Sequence, residues 1–447
     1  MHKRLFLVAL VTLVVLTNGM ADDNWPMFRG PHADGMAPNG KLPETWSETK
    51  NVVWKTPIPG MGWSSPIVWG KKVFLTSAVS EGQEKQPAKG LYMGSSPKNA
   101  NVHHWKVYCL DLDSGRVLWE NEVHKGVPDQ TRHIKNTFAS ETPATDGERV
   151  YVYFGNIGVW CFDMDGKPLW EKKLGSFPTQ FGWGTGASPV VYKDKLFIVN
   201  DNEKSSFIVA LNKLTGDELW KIERKEKSNW ATPYVWENSA RTEVVTAGSG
   251  RVRSYDLDGN LLWEFKGMSG ITIPTPMAKD GLLYITSGYV MDRNRPVYAI
   301  RPGAKGDITL KEGEEKNEYI AWKQPQGAAY HPSPLVVDNR VYVLLDQGFI
   351  CCFDAKTGAA VYPKQRIHST ASQFTASPWY SNGKIFCLSE EGNTYVIQAG
   401  PEFKLLGQNK LNDEMCMATP ALLSDRLLIR TQGHLFCLKE GAELKSK

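Results

Sequence analysis

Eight times along this chain a Ser-Pro or Thr-Pro pair opens a run of alternating apolar residues. The pairs are Ser65-Pro66, Thr142-Pro143, Ser188-Pro189, Thr232-Pro233, Thr275-Pro276, Ser333-Pro334, Ser377-Pro378 and Thr419-Pro420. By subtraction, successive prolines lie 77, 46, 44, 43, 58, 44 and 42 residues apart. The shorter spacings match a four-stranded propeller blade of about 40–45 residues. Each repeat also closes in a regular way. The segments Asp111 to Trp119, Asp163 to Trp170, Asn212 to Trp220 and Asp256 to Trp263 each run from an Asp or Asn, through a Gly turn, to Leu-Trp. The sixth closing ends in Tyr362, the fifth is interrupted before Ala321-Trp322, and the seventh is weak near Phe403. Asp and Gly form the turn between the third and fourth strands. The Trp is placed to pack over a turn and dock against the next blade.

The eighth repeat supplies three strands and lacks a fourth. Asn51-Val-Val-Trp54-Lys55 matches the missing piece. The expected fold is therefore all-β: a single eight-bladed β-propeller of four-stranded blades, closed by the N-terminal strand, which leaves no open sheet edge. The expected boundaries are a leader over 1–21, an arm over 22–50, the propeller over 51–438 and a tail over 439–447. Length alone, 447 residues, would have suggested two or three domains.

His2-Lys3-Arg4 followed by the apolar run Leu5 to Leu16 and a small-residue cleavage pattern ending at Ala21 reads as a secretory signal. That implies export to the periplasm or beyond. No later stretch reaches transmembrane length, and the first Cys is Cys109, which argues against a lipid anchor. Without Lys3 and Arg4 the balance is 50 basic against 48 acidic residues, near neutral and without a basic run, so nucleic acid is not an expected partner. A monomer that binds a protein or a small molecule is expected.

These closings resemble the tryptophan-docking motif of the pyrroloquinoline-quinone-like propeller superfamily. The resemblance implies the fold strongly. It implies one of two functions: a non-catalytic scaffold, as in the B subunit of the outer-membrane β-barrel assembly machine, or a quinoprotein dehydrogenase using pyrroloquinoline quinone and calcium. Dehydrogenases of this kind carry an Asp base, carboxylate and amide calcium ligands, and a disulfide between neighbouring cysteines. Cys351-Cys352 stands in register with Cys109, Cys161 and Cys437 two positions before or near the closing Asp. Alternate strand residues point to opposite faces, so the pair reads as buried thiols and not as that disulfide.

The loops leading into the first strands hold Trp63, Phe138, Trp183, Trp230, Ile273, Tyr330, Phe374 and Met417, an expected aromatic mouth or inter-blade packing. Long segments Val79 to His104 and Asn121 to Ser140 fall on the same face as a lid or wall. So do His103, His104, His124, His133, His331, His368 and His434. Among these, His103, His104 and His133 are weak candidates for a metal site, although no tight His spacing is present. Arg132, Arg293 and Arg295 could meet an anionic ligand. No nucleophile elbow, zinc-protease motif or phosphate loop occurs. The candidate ligand-binding set is Trp63, His103, His104, Arg132, His133, Trp183, Trp230, Tyr330, His331 and Phe374. A scaffold or binding module is the favoured reading; the quinone- and calcium-dependent oxidoreductase and a metal-dependent enzyme are the alternatives.

Overall fold

A computed structural model of the chain describes residues 24–94, 98–411 and 414–444; the expected leader lies outside them. The strands form eight sheets arranged as blades, each numbered here by its repeat. In blade 3, for example, Val190–Tyr192, Lys195–Asn200, Ser206–Asn212 and Glu218–Arg224 follow one another from the channel outward, all antiparallel. The middle strands are buried on both faces, because each is covered by a neighbouring blade. Outer strands such as Glu218–Arg224 alternate between half-buried and exposed residues. The core is therefore a series of interfaces between blades. One of them joins Tyr151, Val159 and Cys161 to Leu196, Ile198 and Phe207. Each fully buried side chain of this size contributes about 1.5–3 kcal/mol.

The ring closes as the repeat count requires. Lys50–Pro57 pairs antiparallel with His434–Glu443 as the fourth strand of blade 8, with Trp54 opposite Cys437. The pairing runs on to Glu443, past the boundary expected at 438. Two blades gain a short parallel fifth strand: Met36–Ala37 on blade 7 and Gly306–Asp307 on blade 4.

The closing tryptophans dock between blades. The indole N–H of Trp54 donates to the Leu112 carbonyl at 2.9 Å, Trp119 to Met164 at 3.2 Å, Trp170 to Lys213 at 3.1 Å, Trp220 to Leu257 at 2.9 Å and Trp322 to Ala355 at 2.9 Å. Each ring covers the turn Gly of the next blade. At Gly216, φ is +76° and a Cβ would lie 2.6 Å from the Trp170 ring, so only Gly fits both the turn and the ring above it. Trp263 departs from the expected pattern. The fifth closing is interrupted, so no Gly turn receives this indole. It turns into its own blade instead, fully buried, and donates to Glu243 Oε2 at 2.6 Å.

All seven cysteines are free and buried. Cys351 packs in the interface with blade 5 and Cys352 in that with blade 7, on opposite faces of their strand. Burial pushes both thiols up to about 11.

The arm does not wrap the outside of the ring. It plugs the channel at the end away from the connecting loops. Trp25 exchanges two backbone hydrogen bonds of 2.8 Å with Val68 of blade 1. Pro26 accepts from Thr145 of blade 2, Gly35 from Tyr380 of blade 7, and Lys41 donates to Ser424 of blade 8. Arg29 is fully buried between them and donates to the Pro334 carbonyl of blade 6 at 2.7 Å. Among the described residues no helix is long and apolar enough to cross a membrane.

Candidate functional site

With its far end plugged, the channel becomes a blind cavity of about 490 Å³ that opens among the loops leading into the inner strands. Phe28 of the arm forms its floor. Above the floor runs a belt of the eight residues that precede the repeat prolines: Ser65, Thr142, Ser188, Thr232, Thr275, Ser333, Ser377 and Thr419. Six backbone amides reach sideways around this belt. Ser65 N–H donates to the Thr142 hydroxyl, Thr142 to Ser188, Ser188 to Thr232, Thr275 to Ser333, Ser333 to Ser377 and Ser377 to Thr419, all at 2.9–3.0 Å. The repeat thus joins its blades through the same hydroxyls that line the channel.

The wall nearer the mouth is aromatic. Tyr92, His133, Trp183 and Trp230 follow one another with ring centroids 5.3, 5.2 and 6.3 Å apart. Tyr289, Tyr330 and His331, at 5.2 and 4.0 Å, continue this wall, Tyr330 sharing one cluster with Trp183. Trp63 is fixed by an indole N–H to the Lys135 carbonyl at 2.6 Å, and Trp230 by one to the Gly184 carbonyl at 2.7 Å.

The long insertion of blade 1 roofs the mouth. Its residues Gly90 to Met93 line the cavity from above. Lys135 anchors them: its ammonium sits 2.6 Å from Glu390 and 2.7 Å from the Gly90 carbonyl, while the Gly90 N–H donates to the other Glu390 oxygen at 2.8 Å. Both ionic side chains are buried. Across the mouth, the Tyr289 hydroxyl contacts the Met93 sulfur. Met93 and Met291 are the most exposed large apolar side chains of the chain's described residues, at 61% and 74%.

Of the ten candidate residues, Trp63, His133, Trp183, Trp230, Tyr330 and His331 line this cavity. The other four do not. Phe374 is fully buried against Tyr395. Arg132 is consumed by structure: its guanidinium is buried, donates to the carbonyls of Ile134 and Asn136, and lies 3.4 Å from Glu84. His103 is buried between Glu84 and the Asn101 carbonyl. His104 lies between Glu81 and Glu122 on the opposite strand face. The third weak metal candidate, His133, faces the Tyr92 carbonyl at 3.0 Å. The three imidazoles therefore do not converge. Among the described residues no group of three or more His, Cys, Asp or Glu is assembled to hold a metal ion. Arg295 likewise serves its own loop, donating to the carbonyls of Asp292 and Val290.

The segment Val79 to His104, expected as a lid or wall, supplies the roof; sequence reasoning missed the floor and the role of the belt. The Ser/Thr-Pro signal was visible, but it marked the period and not the lining. Nothing local distinguishes Phe28, because it reaches the site from the arm.

The electrostatics are muted. Burial lowers His133 to about 4, so this imidazole is neutral at physiological pH. The described lining residues include no Asp or Glu. Calcium takes six to eight oxygen ligands, mostly carboxylates, and a quinone-dependent dehydrogenase needs a carboxylate base. The cavity offers neither, and its one cation, Lys135, is already neutralised. The residues present do not fit pyrroloquinoline quinone with calcium.

One carboxylate beside the belt does titrate unusually. Glu141 is buried and accepts from the Gly155 N–H at 3.1 Å and from the Thr185 hydroxyl. Burial raises its pKa from 4.5 to about 7. Between those values the unfolded chain releases a proton that the folded chain keeps, so this residue makes stability fall as pH rises through that window. Glu141→Gln is expected to remove the fall. Urea unfolding should show the variant gaining on the wild type by up to about 3 kcal/mol between pH 4.5 and pH 7.5. An equal pH dependence in both proteins would show that Glu141 ionises normally.

The comparisons with known proteins agree with this architecture. The profile of the family described as outer membrane protein assembly factor BamB matches residues 103–359 and 248–400. The chain is similar to the outer membrane protein assembly factor BamB of Yersinia pestis, 22% identical over 87% of this chain and 92% of the relative. It is also similar to a polyvinylalcohol dehydrogenase of a Pseudomonas species, 23% identical over 57% of this chain and 44% of that enzyme. Among solved structures, BamB from Moraxella catarrhalis superimposes with a TM-score of 0.53 at 13% identity, over 82% of this chain and 99% of that one. A europium-containing methanol dehydrogenase gives 0.62 at 12% identity, over 94% and 98%. At such identities these likenesses speak for the fold alone.

Proposed function

We propose that this chain, which belongs to the PQQ_2 family described as outer membrane protein assembly factor BamB, is an exported binding propeller and does not perform the redox chemistry of its dehydrogenase relatives. The observation that carries this reading is the composition of the cavity: an aromatic wall with a neutral imidazole, a hydroxyl belt, and no carboxylate among the described lining residues. Such a cavity can hold a ligand and exclude water, but none of its described lining residues is a carboxylate that could serve as a dehydrogenase base or calcium ligand; His331, its second imidazole, is tied to Asp346 behind the wall. The loop face is the contact face, because a rigid ring presents its loops there and the apolar Met93 and Met291 stand at its rim. The leader expected from the sequence and the family's description as an outer membrane protein assembly factor both support an exported scaffold.

The test is calorimetric titration of the purified chain with pyrroloquinoline quinone and calcium, together with dye-linked oxidation of alcohols. No binding heat and no rate above buffer are expected. Tight stoichiometric uptake of the quinone would overturn the reading.

A further inference from the structure

We propose that the channel cavity is a small-molecule site for an uncharged aromatic compound carrying an acceptor oxygen at its inner end. The proposal rests on the loop face being a binding face and names what that face receives.

Shape is the first argument. The cavity is closed below by Phe28 and roofed by Gly90 to Met93, so a ligand enters end-on and a polypeptide cannot thread through. Its volume of about 490 Å³ falls in the usual range for sites that enclose small molecules.

Charge is the second. The only ammonium at the wall, that of Lys135, is held by Glu390 and the Gly90 carbonyl. His133 is kept neutral by burial. An anion entering here would lose its hydration and meet only aromatic faces, neutral groups and an ammonium already paired. A neutral molecule meets no such penalty.

Hydrogen-bonding capacity is the third. The hydroxyl oxygens of Thr142, Ser188, Thr232, Ser333, Ser377 and Thr419 already accept backbone amides. Among the described residues, none of these hydroxyls donates to a protein acceptor. Each keeps its hydrogen and one further lone pair for the channel, so the belt can donate to an acceptor oxygen at the inner end. A sugar would set most of its hydroxyls against the apolar upper wall of Trp183, Trp230, Ile273 and Tyr330, beyond reach of the belt. A ring-bearing compound with one or two carbonyl or ether oxygens satisfies the belt, while Trp183, Trp230 and Tyr330 cover its faces.

The probe is 6-propionyl-2-(dimethylamino)naphthalene, a neutral aromatic ketone whose emission shifts to the blue in an apolar site. With the full exported chain a saturable blue shift is expected, reversed by methyl benzoate but not by benzoate or glucose. Ile273→Glu puts a carboxylate into the wall and should weaken the probe on the order of tenfold or more. Phe28→Ala, at the other end of the cavity, should weaken it with the wall unchanged, and circular dichroism checks that each variant is folded. No saturable shift, equal displacement by benzoate or glucose, or unchanged affinity in both folded variants would overturn the proposal. The titration with quinone and calcium separates the two levels. If it stays silent while the probe fails, the binding face stands and this ligand class is wrong; if the quinone binds, both readings fall.

Discussion

Asp201→Ala is expected to destabilise the propeller by about 3–5 kcal/mol. Asp201 and Arg224 form a bidentate pair, Nε to Oδ1 at 2.8 Å and Nη2 to Oδ2 at 3.0 Å, with both side chains fully withdrawn from water. Arg224 also donates to Thr246 and Tyr255 of blade 4, so one guanidinium joins two blades. Burial alone would lower the pKa of Arg224. Asp201 more than offsets that, and the group stays charged, above its ordinary value. Removing the carboxylate therefore strands a buried cation, which is the costly half of the change. The same logic predicts a rescue: Asp201→Leu combined with Arg224→Met should recover most of the loss, because neither partner then needs hydration. Urea unfolding of the two single variants and the double variant makes the measurement. A loss below about 1 kcal/mol for Asp201→Ala would mean that water or a shifted side chain replaces the carboxylate.

Trp25→Ala is expected to cost a comparable 3–5 kcal/mol, about what large buried aromatics lose on truncation. The Trp25 indole is 2% exposed and packs so closely over the arm that a Cβ on Gly30 would lie 2.6 Å from it. Among the described residues its N–H meets no acceptor, so the ring contributes there through packing. The arm contacts that follow, at Pro26, Arg29 and Gly35, depend on this anchor. The variant should thus lose stability and also expose the arm to proteolysis ahead of the ring. Limited proteolysis followed by mass spectrometry, alongside urea unfolding, reads both effects. Intact arm and unchanged stability would show that blades 6 and 7 hold the plug without blade 1.

The architecture was legible because the repeat writes it eight times. Each Ser/Thr-Pro and each Asp-Gly-Trp closing reports a local rule, and local rules survive in sequence. Trp263 shows where that legibility stops: its residue matches the motif, but its fate was decided by an interruption some forty residues later, in blade 5. The site was half legible for the same reason. Trp63, Trp183, Trp230, Tyr330 and His331 sit at repeat-defined positions and line the cavity. Arg132 and His103 sit on the same face, yet they face inward to Glu84 and serve the loop's own packing. The floor at Phe28 and the roof anchored by Lys135 and Glu390 involve partners 255 residues apart or more in the case of the roof, and no periodicity announces a contact of that kind.

The closing strand also has a consequence for the order of assembly. Lys50–Pro57 is held by two blades at once. It pairs with His434–Glu443 in blade 8, and it is fastened to blade 1 by Trp54 on the Leu112 carbonyl and by the Thr56 hydroxyl on the Gly115 carbonyl at 2.7 Å. Blade 1 is complete in the emerging chain once residue 126 has been made, more than three hundred residues before the other partner exists. The first strand can therefore be parked on blade 1 early, its free edge standing as a template. The final hairpin then arrives at a prepositioned landing site and not at a searching terminus, so the loop-closure entropy of joining the two ends is met in small steps, one blade at a time.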